Sequence, residues 1–146
     1  MRALTLTQPY ATLIAIGAKR VETRSWGTTQ SGPLAIHAAT YKKNSDIHEA
    51  VFRPAIYRAL STSANGGLPA IPSGSIVAVC HLVACLKIID PPPEPEHSFG
   101  DYTPGRYAWI LSNVHPLREP IPIKGHLGLW NWDAPANLEE LLLEAK

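Results

Sequence analysis

The chain carries no excess of charge of either sign. Its 146 residues include 13 Lys and Arg against 12 Asp and Glu, so the formal net charge is +1. This balance argues against a protein that coats long nucleic acid by bulk charge, because that mode of binding needs many phosphate contacts. A small, local cationic cleft remains compatible with it. Any nucleic-acid role should therefore involve a short single strand or a nucleotide.

Cysteines and long apolar segments are also scarce. The two cysteines, Cys80 and Cys85, lie in one apolar run, and their odd separation predicts opposite faces of a strand. They are expected to stay reduced and buried, which fits the cytoplasm. The longest apolar run, from Ile76 to Leu86, is too short to cross a bilayer, and the N-terminus has no signal-peptide pattern. We therefore expect a cytoplasmic protein with no membrane role.

Proline, by contrast, is abundant. The chain has 14 prolines, about twice the average usage. Because proline is excluded from helix interiors and from central strands, this composition predicts short elements joined by many loops. The length and the 45% hydrophobic content suffice for one core, so residues 1–146 are expected to form a single domain.

The hydrophobic pattern predicts both strands and helices. Strands are expected at 3–6, 20–24, 34–39, 75–89 and 107–114, with an irregular strand at 123–132 and a connection at 116–122. One helix is expected to start with Thr7 as its cap and to end at Gly17. Two more are expected at 46–60, interrupted at Pro54, and at 137–144. Residues 90–105 read as one long loop. Together these elements predict an α+β fold with a curled sheet or small β-barrel.

The most informative segment carries four charged residues within six positions, Lys19, Arg20, Glu22 and Arg24. Lys19, Glu22 and Arg24 follow a predicted helix and its Gly17 stop. Strand alternation predicts that Arg20, Glu22 and Arg24 share one face, and the long side chain of Lys19 can reach that face from the turn.

Two interpretations of this charged segment stay open. It can be a solvated strand face, where ion pairs contribute only about 0–1 kcal/mol. Alternatively, it lines a ligand cleft. Tyr10 and Trp26 bracket the segment and could stack a base, worth roughly 1–3 kcal/mol each. Lys19 and Arg24 could hold a phosphate. Glu22 could accept a hydrogen bond from a base or act as a general base.

Two other residues are candidates for the same cleft. His37 ends a predicted strand near this cleft, although a lone histidine most often has a structural role. Tyr107 closes a glycine-hinged loop that could lie over a ligand or plug the edge of the core. The six histidines show no paired-ligand spacing, so neither a metal nor another cofactor is expected.

The sequence resembles a known family. The spacing Gly17-x-Lys19-x-x-Glu22-x-Arg24 matches the GxKxxExR signature of ASCH domains. Flanking segments are similar to the family's QPYA opening and to its later strands, here at residues 8–11, 34–39, 74–78, 107–111 and 120–125. The likeness thus extends over nearly the whole chain.

This resemblance implies a PUA-like fold, a small β-barrel with flanking helices, and a cleft where the signature residues meet. ASCH domains are usually regarded as RNA-binding or RNA-processing modules. Some members are hydrolases that deacetylate N4-acetylcytidine, and others are linked with cleavage of single-stranded RNA. Where the deacetylases have a nucleophilic Thr, this chain has Glu22, and Thr23 is predicted to point away. A water activated by Glu22, with Lys19 stabilising the oxyanion, remains possible.

The sequence therefore predicts a domain that binds single-stranded RNA, a nucleotide or a nucleoside. The alternatives are a ribonuclease or amidohydrolase, with Lys19 and Glu22 as catalytic residues, and a protein-interaction adaptor with a vestigial cleft. The expected ligand-binding residues are Tyr10, Lys19, Glu22, Arg24, Trp26, His37 and Tyr107.

Overall fold

A computed structural model describes residues 1–41 and 46–146 of the chain. Within these ranges the chain forms six strands and four helices. The strands are β1 Arg2–Leu6, β2 Val21–Arg24, β3 Gly32–Ala38, β4 Ser75–Lys87, β5 Tyr107–Pro122 and β6 Leu129–Asn131. The helices are α1 Tyr10–Ala15, α2 Ile47–Val51, α3 Pro54–Ser63 and α4 Leu138–Leu141, and a 3₁₀ turn spans Glu96–Phe99.

All six strands belong to one sheet, with the spatial order β2-β5-β4-β3-β1-β6. β1 and β3 are parallel, and the other neighbouring strands are antiparallel. The sheet curls into a half-barrel, and helices pack on it. The predicted α+β, PUA-like fold is therefore confirmed.

Helix α1 packs on the sheet and precedes β2 in the chain. Residues 11–15 are all buried, and the helix packs on β3, β4 and β5. Gly17 ends it with φ +83°, and the N–H groups of Ala18 and Lys19 both donate to the carbonyl of Leu13. A Cβ on Gly17 would lie 2.7 Å from the Cβ of Lys146, so glycine suits both the turn and the close approach.

The prediction of a connection at 116–122 is wrong, because these residues form the second half of β5. β2 covers the edge of β5 only from Tyr107 to Ile110. Further along, the C-terminal segment bonds to this edge, with Leu143 N–H donating to the carbonyl of Pro116. Pro116 is tolerated there because the neighbouring segment uses its carbonyl and needs no proline N–H.

Several element boundaries also differ from the predictions. The last strand and the last helix are shorter, at 129–131 and 138–141, and the loop at 90–105 contains the 3₁₀ turn. Thr7 does not cap α1, which has Pro9 at the N-cap position; instead Gln8 Oε1 accepts a hydrogen bond from Thr12 N–H. The interruption at Pro54 is confirmed, since α3 begins there.

Both cysteines pack against the same core cluster, so the prediction of opposite faces is wrong. Strand β4 has register irregularities on both sides of His81, and they break the simple alternation between Cys80 and Cys85. Burial raises the pKa of the Cys80 thiol to about 12.

Candidate functional site

A cavity of about 600 Å³ opens beside β2. Its wall is built from the end of β1, the start of α1, the strand β2 with the turn after it, the residue before α3, and the end of the 3₁₀ turn with the segment after it. The lining residues are Thr5, Leu6, Thr7, Tyr10, Glu22, Thr23, Arg24, Ser25, Trp26, Arg53, Ser98, Phe99, Gly100, Asp101 and Arg106.

Glu22 and Arg24 form the polar floor of this cavity. Glu22 Oε2 accepts a hydrogen bond from Arg24 Nε at 3.1 Å, and Arg24 Nη2 donates to the carbonyl of Thr5 at 2.6 Å. These contacts fix the guanidinium from two sides. Among the hydrogen bonds of the described residues they occupy Nε and Nη2, which leaves Nη1 for a ligand.

The side chain of Lys19 lies behind the floor and does not line the cavity. It is fully buried, its Nζ donates to the carbonyl of Phe99 at 2.6 Å, and it lies 3.6 Å from Glu22 Oε1. Burial lowers the pKa of Lys19, while the Glu22 carboxylate opposes that shift. This ammonium therefore supports Glu22 and the Phe99 backbone from the protein side.

The segment from Glu96 to Asp101 is held against β2 and forms one wall. Glu96 Oε1 accepts a hydrogen bond from Arg20 N–H at 2.7 Å, and Asp101 N–H donates to Thr23 Oγ1 at 3.0 Å. Burial raises the pKa of the Glu96 carboxyl. The predicted loop at 90–105 thus contributes residues 98–101 to the cavity lining.

Tyr10 precedes the floor residues Glu22 and Arg24 in the sequence, and Trp26 follows them. Both aromatic residues line the cavity. The Trp26 ring meets Trp109 edge-on, with ring centroids 4.9 Å apart, and Trp109 Nε1 donates to the carbonyl of Trp26. Tyr10 Oη accepts a hydrogen bond from Arg53 Nη1 at 3.2 Å. Trp26 is therefore held by Trp109, which lies outside the lining, and Tyr10 by Arg53, which is part of it.

His37 and Tyr107 are not among the lining residues. His37 is buried, with Nε2 2.7 Å from the carbonyl of Ile123 and Nδ1 3.2 Å from Thr5 Oγ1. A carbonyl only accepts, so Nε2 carries the proton and Nδ1 accepts from Thr5. Burial lowers the pKa of His37, which fits this neutral form. Tyr107 packs under Gly27, whose added Cβ would lie 2.7 Å from its ring.

Comparison with known proteins identifies the family. The family model of the ASCH domain matches residues 4–121. The chain belongs to the ASCH domain family. It is 34% identical over 134 residues to Activating signal cointegrator 1 of Homo sapiens and 32% identical over 134 residues to that of Mus musculus. The alignments cover 90% of this chain, which spans only 22% of the length of either relative.

Three charged residues of this ASCH cavity, Arg53, Asp101 and Arg106, are not among the ligand-binding residues expected from the sequence. Arg53 is the residue before α3. The local sequence does not indicate its place in the cavity, because only tertiary packing brings it to β2. Asp101 and Arg106 lie in the loop region, where Arg106 Nε donates to the carbonyl of Asp101 at 3.1 Å. Hydrogen bonds from Thr103 hold the pKa of Asp101 below its usual value.

The ASCH cavity combines arginines with carboxylates and aromatic rings, a set that suits a polar, partly anionic and partly planar ligand. Among residues 1–41 and 46–146, no three His, Cys, Asp or Glu side chains group as metal ligands would. In the same ranges, no helix has both the length and the hydropathy to cross a membrane.

Proposed function

We propose that this ASCH domain binds single-stranded RNA by holding one nucleotide in the cavity, with Arg24 as the central anchor. The observation that carries the proposal is the Arg24 guanidinium, fixed by Glu22 and by the Thr5 carbonyl with Nη1 left for a ligand. A pre-oriented guanidinium is suited to a phosphate or a carbonyl because it loses little freedom on binding.

The size and the walls of the cavity support a nucleotide. Its volume of about 600 Å³ is within the range of roughly 300–1,000 Å³ that is typical of small-ligand sites. Tyr10 and Trp26 offer aromatic surface to a base, and Arg53 and Arg106 add two further cations to the lining. Glu22 offers carboxylate oxygens to a base amino group. Lys19 supports Glu22 from the protein interior, whereas its charge suggests a direct contact with the ligand.

Hydrolysis remains the alternative, with Glu22 as the general base. Both oxygens of this carboxylate already accept hydrogen bonds, Oε1 from Thr23 N–H and Oε2 from Arg24 Nε. That arrangement suits a fixed acceptor, so we propose binding as the main function. A cytoplasmic location stays a prediction.

The test measures the affinity of the wild type for a fluorescein-labelled hexaribonucleotide of mixed sequence by fluorescence anisotropy. Arg24→Met should weaken binding by about tenfold or more, since a hydrogen bond to a charged group contributes about 1.5–3 kcal/mol. Arg118→Met is the matched control, because Arg118 is exposed and does not line the cavity.

Two results would contradict the proposal. The first is equal affinity of wild type and Arg24→Met for the RNA. The second is no binding by the wild type, which would favour the adaptor alternative. Mass spectrometry of the same RNA and of one carrying N4-acetylcytidine, after incubation with wild type, should detect no product; strand scission or loss of acetyl would favour the hydrolase.

A further inference from the structure

Two aromatic side chains are exposed side by side next to the cavity. Phe52 is 64% exposed and Tyr57 is 37% exposed. Their rings are nearly parallel, with an interplanar angle of 19° and centroids 5.8 Å apart. Large aromatic rings are usually well buried, so a stacked and exposed pair is an unusual feature of a protein surface.

The backbone holds this pair outward. Val51 and Ile56 on either side are buried in the core, which leaves the turn between α2 and α3 facing solvent. Tyr57 N–H donates to the carbonyl of Arg53 at 2.8 Å, so the first turn of α3 fixes the spacing of the two rings.

Arg53 links the pair to the cavity. It follows Phe52 in the chain, its side chain lines the cavity, and its Nη1 donates to Tyr10 Oη. Tyr10, which lines the cavity together with Arg24, is thus bonded to the Arg53 cation, and Arg53 is the chain neighbour of Phe52 in the exposed pair. This alternation of rings and cations matches the alternation of bases and phosphates in a single strand.

We propose that Phe52 and Tyr57 form a stacking platform for a second base of the bound strand. The inference rests on the proposed function and deepens it: the ligand is an oligonucleotide of at least two units. One nucleotide occupies the cavity, Arg53 contacts the phosphate beside it, and the neighbouring base stacks on Phe52.

A protein partner is the less favoured occupant because the patch is small. Each ring can bury about 150–250 Å², whereas a stable protein interface takes about 800 Å² from each partner. Two partly buried rings fall short of that area, but they are large enough for one base.

The experiment compares Phe52→Ala with wild type on two probes. The first probe is the fluorescein-labelled hexaribonucleotide. The second is the set of four nucleoside 5′-monophosphates, each added as a competitor of that hexaribonucleotide. We expect Phe52→Ala to lower the affinity for the hexaribonucleotide by about tenfold, since the stacking of one base is lost. The affinity for the monophosphates should not change. Phe52→Tyr should restore the affinity for the hexaribonucleotide. Ile89→Ala, at a side chain that is 78% exposed away from the cavity lining, should change nothing.

Different failures separate the two proposals. If Phe52→Ala binds the hexamer as tightly as wild type while Arg24→Met does not, the platform is wrong and the cavity stands. If Phe52→Ala weakens hexamer and monophosphates alike, the platform is also wrong, because the effect then lies in the cavity. If wild type binds neither probe, the proposed function fails and the platform fails with it.

Discussion

At the scale of single residues, the position of Lys19 changes its expected role. Its charge and its place in the motif suggest a cation that touches the ligand. In the structure it is buried, donates to the Phe99 carbonyl and lies beside Glu22. A buried ammonium is retained only where its partners offset desolvation, so Lys19 is best understood as a structural support of the floor and of the adjoining wall.

Lys19→Met tests this role. Methionine keeps much of the side-chain volume but leaves the Phe99 carbonyl without its donor, so the free energy of unfolding should fall by about 1–3 kcal/mol. Chemical denaturation measures it, and Lys87→Met at an exposed position is the control. Full stability combined with a large loss of RNA affinity would instead make Lys19 a ligand contact.

Lys19 also makes the stability of the folded protein depend on pH. The pKa of Lys19 in the folded state is lowered from its ordinary value of 10.5. At pH values between the folded-state and the unfolded-state pKa, the unfolded chain therefore binds more protons than the folded chain. The Lys19 contribution to stability therefore rises with pH across that window. Lys19→Met should remove this contribution, which denaturation curves measured from neutral pH upward can detect.

At the scale of elements, the wall from Glu96 to Asp101 depends on β2. Thr23, whose side chain points away from the Glu22 face, accepts the hydrogen bond from Asp101 N–H. Gly100 lies so close to Thr23 that an added Cβ would be 3.0 Å from its Oγ1. One face of β2 thus carries the floor, and the other holds the wall.

Thr23→Val should loosen that wall with little change of shape. The valine keeps the volume but lacks the acceptor, so we expect a loss of about 1 kcal/mol and faster hydrogen exchange at the Asp101 amide. Hydrogen-exchange mass spectrometry of residues 96–106 measures it, with Thr62→Val on the exposed side of α3 as control. Unchanged exchange in this segment would show that other contacts hold the wall.

At the scale of the whole molecule, the sequence predicted the fold well but the cavity only in part. Strand alternation correctly paired Glu22 with Arg24, because that relation is local. The burial of Lys19 depends on a carbonyl 80 residues away, and the contribution of Arg53 depends on how α3 packs. Neither the burial of Lys19 nor the contribution of Arg53 can be predicted from the local sequence. Pro116 was likewise misread, since the strand edge that tolerates it is created by the C-terminal segment.

Binding of RNA in the cavity is tested most directly by a map of where RNA contacts the folded protein. A hexaribonucleotide containing 4-thiouridine would be crosslinked to wild type by ultraviolet light, and the modified peptides identified by mass spectrometry. We expect crosslinks at Tyr10 or Trp26, and their loss in Arg24→Met. Crosslinks confined to peptides that do not line the cavity would contradict binding in the cavity.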